Sequence, residues 1–284
     1  MVILVTGASG QLGQALKSIH QNYENLDFHF ADSSQADITN LASLEAIFDQ
    51  VKPEFCINAA AYTAVDKAES EPEKAQLVNV AAAANLAAVC LAKNCTLVHV
   101  STDFVFDGNA DKPYSEEQKT NPQGVYGRTK RDGELEIQNI LTRYFIIRTS
   151  WVYSEFGHNF MKTMLRLAKE RDEVNVVDDQ VGTPTYAVDL ARAIIAVITS
   201  NKPFYGIYNF SNEGICSWHD FASEIFSQSK LDIKLNPIPT SAFPTPAKRP
   251  AYSVLDKSKI KSVFSLEIRD WKIALSEALA KNNA

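Results

Sequence analysis

The first thirteen residues constrain the fold more than any other stretch. VILVT, residues 2–6, is an apolar run that reads as a buried strand. It ends in GASGQLG, which places Gly7, Gly10 and Gly13 three residues apart. Apolar residues from Leu12 to Ile19 then recur at helical spacing. Strand, glycine turn and helix is the context a dinucleotide fingerprint requires. Gly7 permits the tight turn, Gly10 lets backbone N–H groups approach a pyrophosphate at the helix start, and Gly13 lets helix and strand pack closely. The spacing here is GxxGxxG rather than GxGxxG.

The same alternation continues along the chain. Phe28–Ala31 reads as a second strand, followed by Asp32. An acidic residue at that distance from the glycine turn can bond the adenosine ribose and favours NAD. No arginine or lysine follows in SSQADITN to hold a 2′-phosphate. Asp37 can reach the adenine or merely cap the helix 41–51. EFCINAA, residues 54–60, is a strand ending in small residues, where a cofactor can lie against backbone. An Ala-rich helix, 73–93, and a strand, 96–101, follow. Together with the strand 144–150 they predict an α/β fold with a doubly wound parallel sheet. The expected division is 1–150 for a nucleotide-binding domain and 151–284 mainly for a substrate domain. About 174–200 is expected to return to the first. The stretch 237–256 carries five prolines and can be neither helix nor central strand.

Chemistry concentrates between Val98 and Lys130. VHVSTD ends a strand in Ser101, Thr102 and Asp103. VYGRTK puts Tyr126 and Lys130 four residues apart, on one face of a helix. A free tyrosine has a pKa near ~10 and a nearby cation lowers it. A shift of about three units is worth roughly 4 kcal/mol. Thr102 is placed to donate a second hydrogen bond to the same substrate oxygen.

Net charge is −6 and no basic run appears, which argues against nucleic-acid binding. No secretory pattern is read at the start, and no apolar run is seen to approach the ~20 residues of a membrane span. A cytoplasmic protein is expected. Cys56, Cys90, Cys95 and Cys216 have no metal-ligand spacing and read as buried thiols. No metal site is expected, and His99 and His158 read as structural histidines.

GASGQLG, the STD triplet and YGRTK together resemble an extended short-chain dehydrogenase/reductase. NAAAYTAVDKAESEP (58–72), RTSWVYSEFGHNFMKTML (148–165), DDQVGTPT (178–185) and PTSAFPTPAKRPAYSVLD (239–256) narrow the resemblance to the dTDP-4-dehydrorhamnose reductase family. It implies a Rossmann domain with a smaller substrate domain. It also implies reduction of the C4 ketone of a dTDP-4-dehydro-L-rhamnose by NADPH or NADH. By the same resemblance, Tyr126 is the general acid. Lys130 binds the nicotinamide ribose and lowers the tyrosine pKa, and Thr102 bonds the substrate. Asp103 contacts the sugar. Gly10, Gln11 and Leu12 line the pyrophosphate, and Asp37 and Ile38 flank adenine. Ala61, Tyr62 and Thr63 border the cofactor, although the family often has histidine where Tyr62 stands. Trp151 packs an indole on the deoxysugar. Arg249 is an extension of this reading, as the cation for the substrate diphosphate. The partner implied is a dTDP-sugar, and a homodimer is compatible. Two rivals share the motifs: a reductase giving the C4 epimer, a 6-deoxytalose nucleotide, and a non-catalytic regulatory subunit like the methionine adenosyltransferase β subunit.

Overall fold

The computed structural model describes residues 1–282. Its first half is a repeating strand–helix pattern: β1 (Val2–Thr6), α1 (Gln11–Ile19), β2 (Asp27–Ala31), α2 (Leu41–Val51) and β3 (Phe55–Asn58). It continues with α3 (Pro72–Ala92), β4 (Thr96–Thr102), α4 (Val125–Ile140) and β5 (Tyr144–Thr149). Successive residues of each strand feed opposite faces, as pleating demands. Ile3, Val5, Ile57, Val98 and Ile147 pack with Leu12 and Leu16 of α1. Leu4, Cys56, Leu97 and Ile146 pack instead with Phe48, Leu86 and Ile137. With both faces covered, the inner strands carry near-continuous apolar runs, which is the signature of a parallel sheet, whereas the edge strand β2 exposes Asp27 and His29.

After β5 the chain forms α5 (Phe160–Glu170), β6 (Glu173–Val177), α6 (Ala187–Thr199) and β7 (Gly206–Asn209). Then come α7 (Trp218–Gln228), β8 (Lys234–Ile238), α8 (Ser258–Phe264) and α9 (Trp271–Asn282). The main sheet has six strands in the order β7-β5-β4-β3-β1-β2, all parallel. The segment expected to return at about 174–200 divides in two. β6 lies outside the main sheet, paired with β8, while α6 packs beside α1 and β7 completes the sheet edge. Pro237 lies in β8, a strand of a two-stranded pair, where its missing N–H costs little.

α3 also departs from expectation. It is 21 residues long and apolar enough to cross a membrane by length and composition. Half of that apolar stretch is buried inside the protein: Ala82, Ala83, Leu86 and Ala87 cover the sheet. A π turn, Leu77–Ala81, interrupts it and turns Asn79 inward. Asn79 bonds both backbone groups of Tyr62 and the Thr129 hydroxyl, tying the loop after β3 to α4. All four cysteines are buried and free.

Candidate active site

One cleft of about 1790 Å³ runs over the C-terminal ends of β1, β3 and β4 and into the second lobe. Ligand cavities for one small molecule are commonly about 300–1,000 Å³, so this one has room for a dinucleotide and a second ligand.

Its first wall is backbone. Gly7 adopts φ +73, and a Cβ there would lie 2.5 Å from the Ala60 nitrogen. A Cβ on Gly13 would lie 2.5 Å from the Gly7 carbonyl oxygen. The turn and the helix therefore close only with glycine at both positions. Gly10 begins α1 without a side-chain cap, so the first N–H groups of the helix are available to an anion. Gly7, Gly10, Gln11, Leu12, Ala61 and Thr63 line this wall, with Asp37 and Ile38 at its far end. The Gln11 side chain is engaged elsewhere, accepting from Ser154 Oγ at 3.0 Å and Asn159 Nδ2 at 2.9 Å.

Three residues expected at the cofactor are not part of the cleft lining. Gly13 lies beneath it as the close contact between α1 and the turn. Asp32 turns back on Ser34, accepting from its N–H at 2.8 Å and its hydroxyl at 2.6 Å. Those bonds hold its carboxyl below the usual range, and Ser33 faces the cleft instead. Tyr62 points its hydroxyl to Glu71, 2.8 Å away, because Asn79 fixes its backbone.

The second wall is made of ionisable side chains. Thr102, Asp103, Tyr126 and Lys130 all line the cleft. Thr102 donates its hydroxyl proton to Asp103 Oδ1 at 2.9 Å and accepts from the Phe104 N–H at 3.2 Å. A hydroxyl has one proton, so to bond a substrate oxygen Thr102 must release Asp103. Burial pushes the Asp103 carboxyl up to about 6, against the opposing hydrogen bond from Thr102. Its Oδ2 and the Ser101 hydroxyl are buried without a partner. Such atoms are costly unless a ligand completes them.

Tyr126 packs edge-on against Phe104, ring centroids 5.6 Å apart. Burial pushes its phenol up to about 12; Thr102 opposes this and the Asp103 charge adds to it. Lys130 is buried, and burial pulls it down to about 8, partly offset by Glu134. Its Nζ lies 2.7 Å from the Val100 carbonyl and 3.1 Å from His99 Nε2. Lys130 thus bonds the strand, and the phenol is not lowered in this state. The sequence reading assumed a free ammonium beside the tyrosine.

The far side of the cleft comes from the second lobe. Trp151 holds a left-handed backbone, φ +48, and its indole stacks on Trp218 at 3.6 Å. Strain of this kind in a non-glycine residue persists where the surroundings over-determine it. Arg249 lines the cleft but is paired with Asp66 at 2.6 Å, and the Ala247 N–H donates to the same carboxylate. Trp218, Asp66 and Phe243 were not singled out from the sequence; only their place in the folded cleft marks them. His158 also lines the cleft, and His99 touches Lys130. Asp178, His219 and Asp220 bring three potential metal ligands together among the described residues. Asp178 accepts from the Ser217 hydroxyl, and Asp220 closes a capping box with Ser217, so both carboxylates already have structural partners.

The family profile described as "RmlD substrate binding domain" matches residues 1–284. The dTDP-4-dehydrorhamnose reductase of Aggregatibacter actinomycetemcomitans is 42% identical over 288 residues, covering 98% of each chain. The chain belongs to the dTDP-4-dehydrorhamnose reductase family. A crystal structure of a family member from Clostridium acetobutylicum superposes with a TM-score of 0.95 at 42% identity, covering 100% of both chains. The Bacillus anthracis member, solved in complex with NADP, gives 0.95 at 38% identity over 99% of each chain.

Proposed function

We propose that the chain reduces the C4 ketone of dTDP-4-dehydro-β-L-rhamnose to dTDP-L-rhamnose with NADPH or NADH, the last step of dTDP-rhamnose biosynthesis. The observation that carries this reading is the grouping of Thr102, Tyr126 and Lys130 on one wall of a cleft whose other wall is a glycine-built helix start. Family membership and the NADP complex of the Bacillus anthracis relative support it.

The cofactor supplies the hydride; the rest is done by the chain. The N–H groups at the start of α1 hold the pyrophosphate, and Ala61 and Thr63 flank the path towards the reacting end. Tyr126 gives its proton to the C4 oxygen. A phenol held up at about 12 stays protonated at neutral pH, as a donor must. Lys130 bonds the ribose. Asp103 and Ser101 offer their unpartnered oxygens to the sugar, and the Trp151–Trp218 stack gives it an apolar bed. Arg249 is the cation for the diphosphate. A cytoplasmic enzyme, alone or as a homodimer, is consistent with this use.

The test is to follow the loss of reduced-nicotinamide absorbance with purified protein and the 4-dehydro-L-rhamnose nucleotide. Both cofactors are run in parallel and the product is taken to NMR. Oxidation with dTDP-L-rhamnose as product is expected. The C4 epimer as product would move the chain to the 6-deoxytalose reaction. No oxidation by folded protein that binds nucleotide would sink the catalytic reading.

A further inference from the structure

Gln11 opens α1 in the glycine turn, yet its side chain bonds a distant part of the chain. Its Oε1 accepts from Ser154 Oγ at 3.0 Å and from Asn159 Nδ2 at 2.9 Å. The direction of the second bond is fixed by the cap of α5, where Asn159 Oδ1 accepts the Lys162 N–H at 3.1 Å. A backbone N–H can only donate, so the other amide atom of Asn159 is a donor and its partner on Gln11 is the oxygen. The stretch 154–159 is also closed on itself. Asn159 Nδ2 donates to the Ser154 carbonyl at 2.7 Å, and the Phe156 N–H donates to Ser154 Oγ at 3.1 Å. At Gly157, with φ +59, a Cβ would lie 3.3 Å from Gln11 Cγ. The loop is thus a compact piece seated on the stem and oxygen of one glutamine.

That loop carries part of the cleft's far side. It follows Trp151 closely in the chain and leads into α5. Gly157, His158 and Phe160 line the cleft, as do Thr163 and Met164 of α5. Apolar packing also joins the two sides: Leu12 and Leu16 of α1 share one core with Met161 and Met164. Such packing is non-directional, whereas the bonds to Gln11 have a preferred length and angle and so set where the loop stands. A ligand held by the glycine turn alone does not sense that placement. A ligand that touches both the turn side and the Trp151 side does.

We infer that Gln11 is a positioning residue for the sugar nucleotide. Its side-chain oxygen fixes the Trp151 and α5 side of the cleft against the turn that holds the cofactor. This rests on the reductase reading, in which the sugar nucleotide lies between the two sides.

A double-mutant cycle tests the inference. Asn159→Ser keeps a capping oxygen for α5 but removes the donor to Gln11. Gln11→Met removes the acceptor and keeps an unbranched side chain of similar length. Two affinities are measured for each protein. NADPH is followed by fluorescence titration, and dTDP-L-rhamnose by calorimetry on the NADPH-saturated protein, a reduced cofactor and an alcohol that cannot react together. Asn159→Ser is expected to weaken dTDP-L-rhamnose about fivefold, the loss for one net hydrogen bond, and to leave NADPH within about twofold. Added to Gln11→Met, it should change dTDP-L-rhamnose affinity little further, because the bond is already gone. If Asn159 merely shaped its own loop, the two losses would add. Additive losses overturn the inference, and so does an equal loss for both ligands in Asn159→Ser. If Asn159→Ser does not fold, the same cycle with Ser154→Ala, which removes the other donor, decides by the same criteria. A wild type that binds NADPH but no dTDP-L-rhamnose overturns the reductase reading and the inference with it. Wild-type binding of both, with additive losses in the variants, overturns the inference alone.

Discussion

Along the glycine turn the cleft is walled by backbone: Gly7, Gly10 and the alanines after β3. Facing the second lobe it is walled by Thr102, Asp103, Tyr126 and Lys130, and burial shifts the proton affinity of the last three. The first wall is sensitive to volume, since an added methyl there meets backbone that cannot yield. The second wall is sensitive to protons, since its groups are crowded in a site with little solvent. Binding and chemistry should therefore fail separately, and by different kinds of substitution.

The largest expected effect tests the second wall. Tyr126→Phe should lower turnover by roughly 10²–10⁴-fold, the range for a lost general acid, while cofactor affinity stays near the wild-type value. Turnover and a fluorescence titration of the reduced cofactor read the two halves. Near-normal turnover would remove Tyr126 as the acid and dissolve the contrast.

Asp103→Asn sharpens the contrast through pH. The folded carboxyl titrates near about 6, above its ordinary 3.8. The folded state therefore binds this proton more readily than the unfolded one. The stabilisation is full below the unfolded value and is lost as pH rises through about 6. Asn, with no charge to bury, should make the protein more stable than wild type above that pH, by up to about 3 kcal/mol, and much less so near pH ~4. Denaturant melts at the two pH values read the difference. An equal effect at both would mean that burial does not strain this carboxyl.

Gly13→Ala tests the first wall. Its methyl would sit 2.5 Å from the Gly7 oxygen, and overpacking of this kind costs about 1–3 kcal/mol. Cofactor affinity should fall with stability, whereas the pH dependence of the remaining turnover should not change. The smallest effect belongs to the lobe opposite. Trp218→Ala removes the support behind Trp151, worth about 1 kcal/mol for an aromatic pair. KM for the sugar nucleotide should rise by less than about tenfold with cofactor affinity intact.

What could be read from the sequence follows the reach of each interaction. The GASGQLG turn was legible because most of its geometry is local: Gly10 and Gly13 both approach Gly7, although Gly7 itself leaves room for Ala60, after β3. Tyr126 and Lys130 were legible because four residues on a helix share a face. The partner of Asp32 was not legible, because a two-residue turn onto Ser34 competes with any ribose contact, and spacing does not reveal which wins. The contact of Lys130 with His99 was invisible because it joins α4 to β4, 31 residues apart in the chain. Trp218 acquires meaning only when it meets Trp151, which requires the second lobe to be folded.

The sheet is finished out of order. β5 lies next to β7, which is made only after the chain has passed through α5, β6 and α6. During synthesis, a nascent chain that has emerged only as far as Thr149 presents β5 as an open edge with unpaired backbone groups. Such edges recruit other chains. A fragment ending at residue 150 should therefore aggregate although it holds the whole glycine turn and both Tyr126 and Lys130. On that expectation the first 150 residues, which hold most of the sheet, cannot be cut out and expressed as a stable piece.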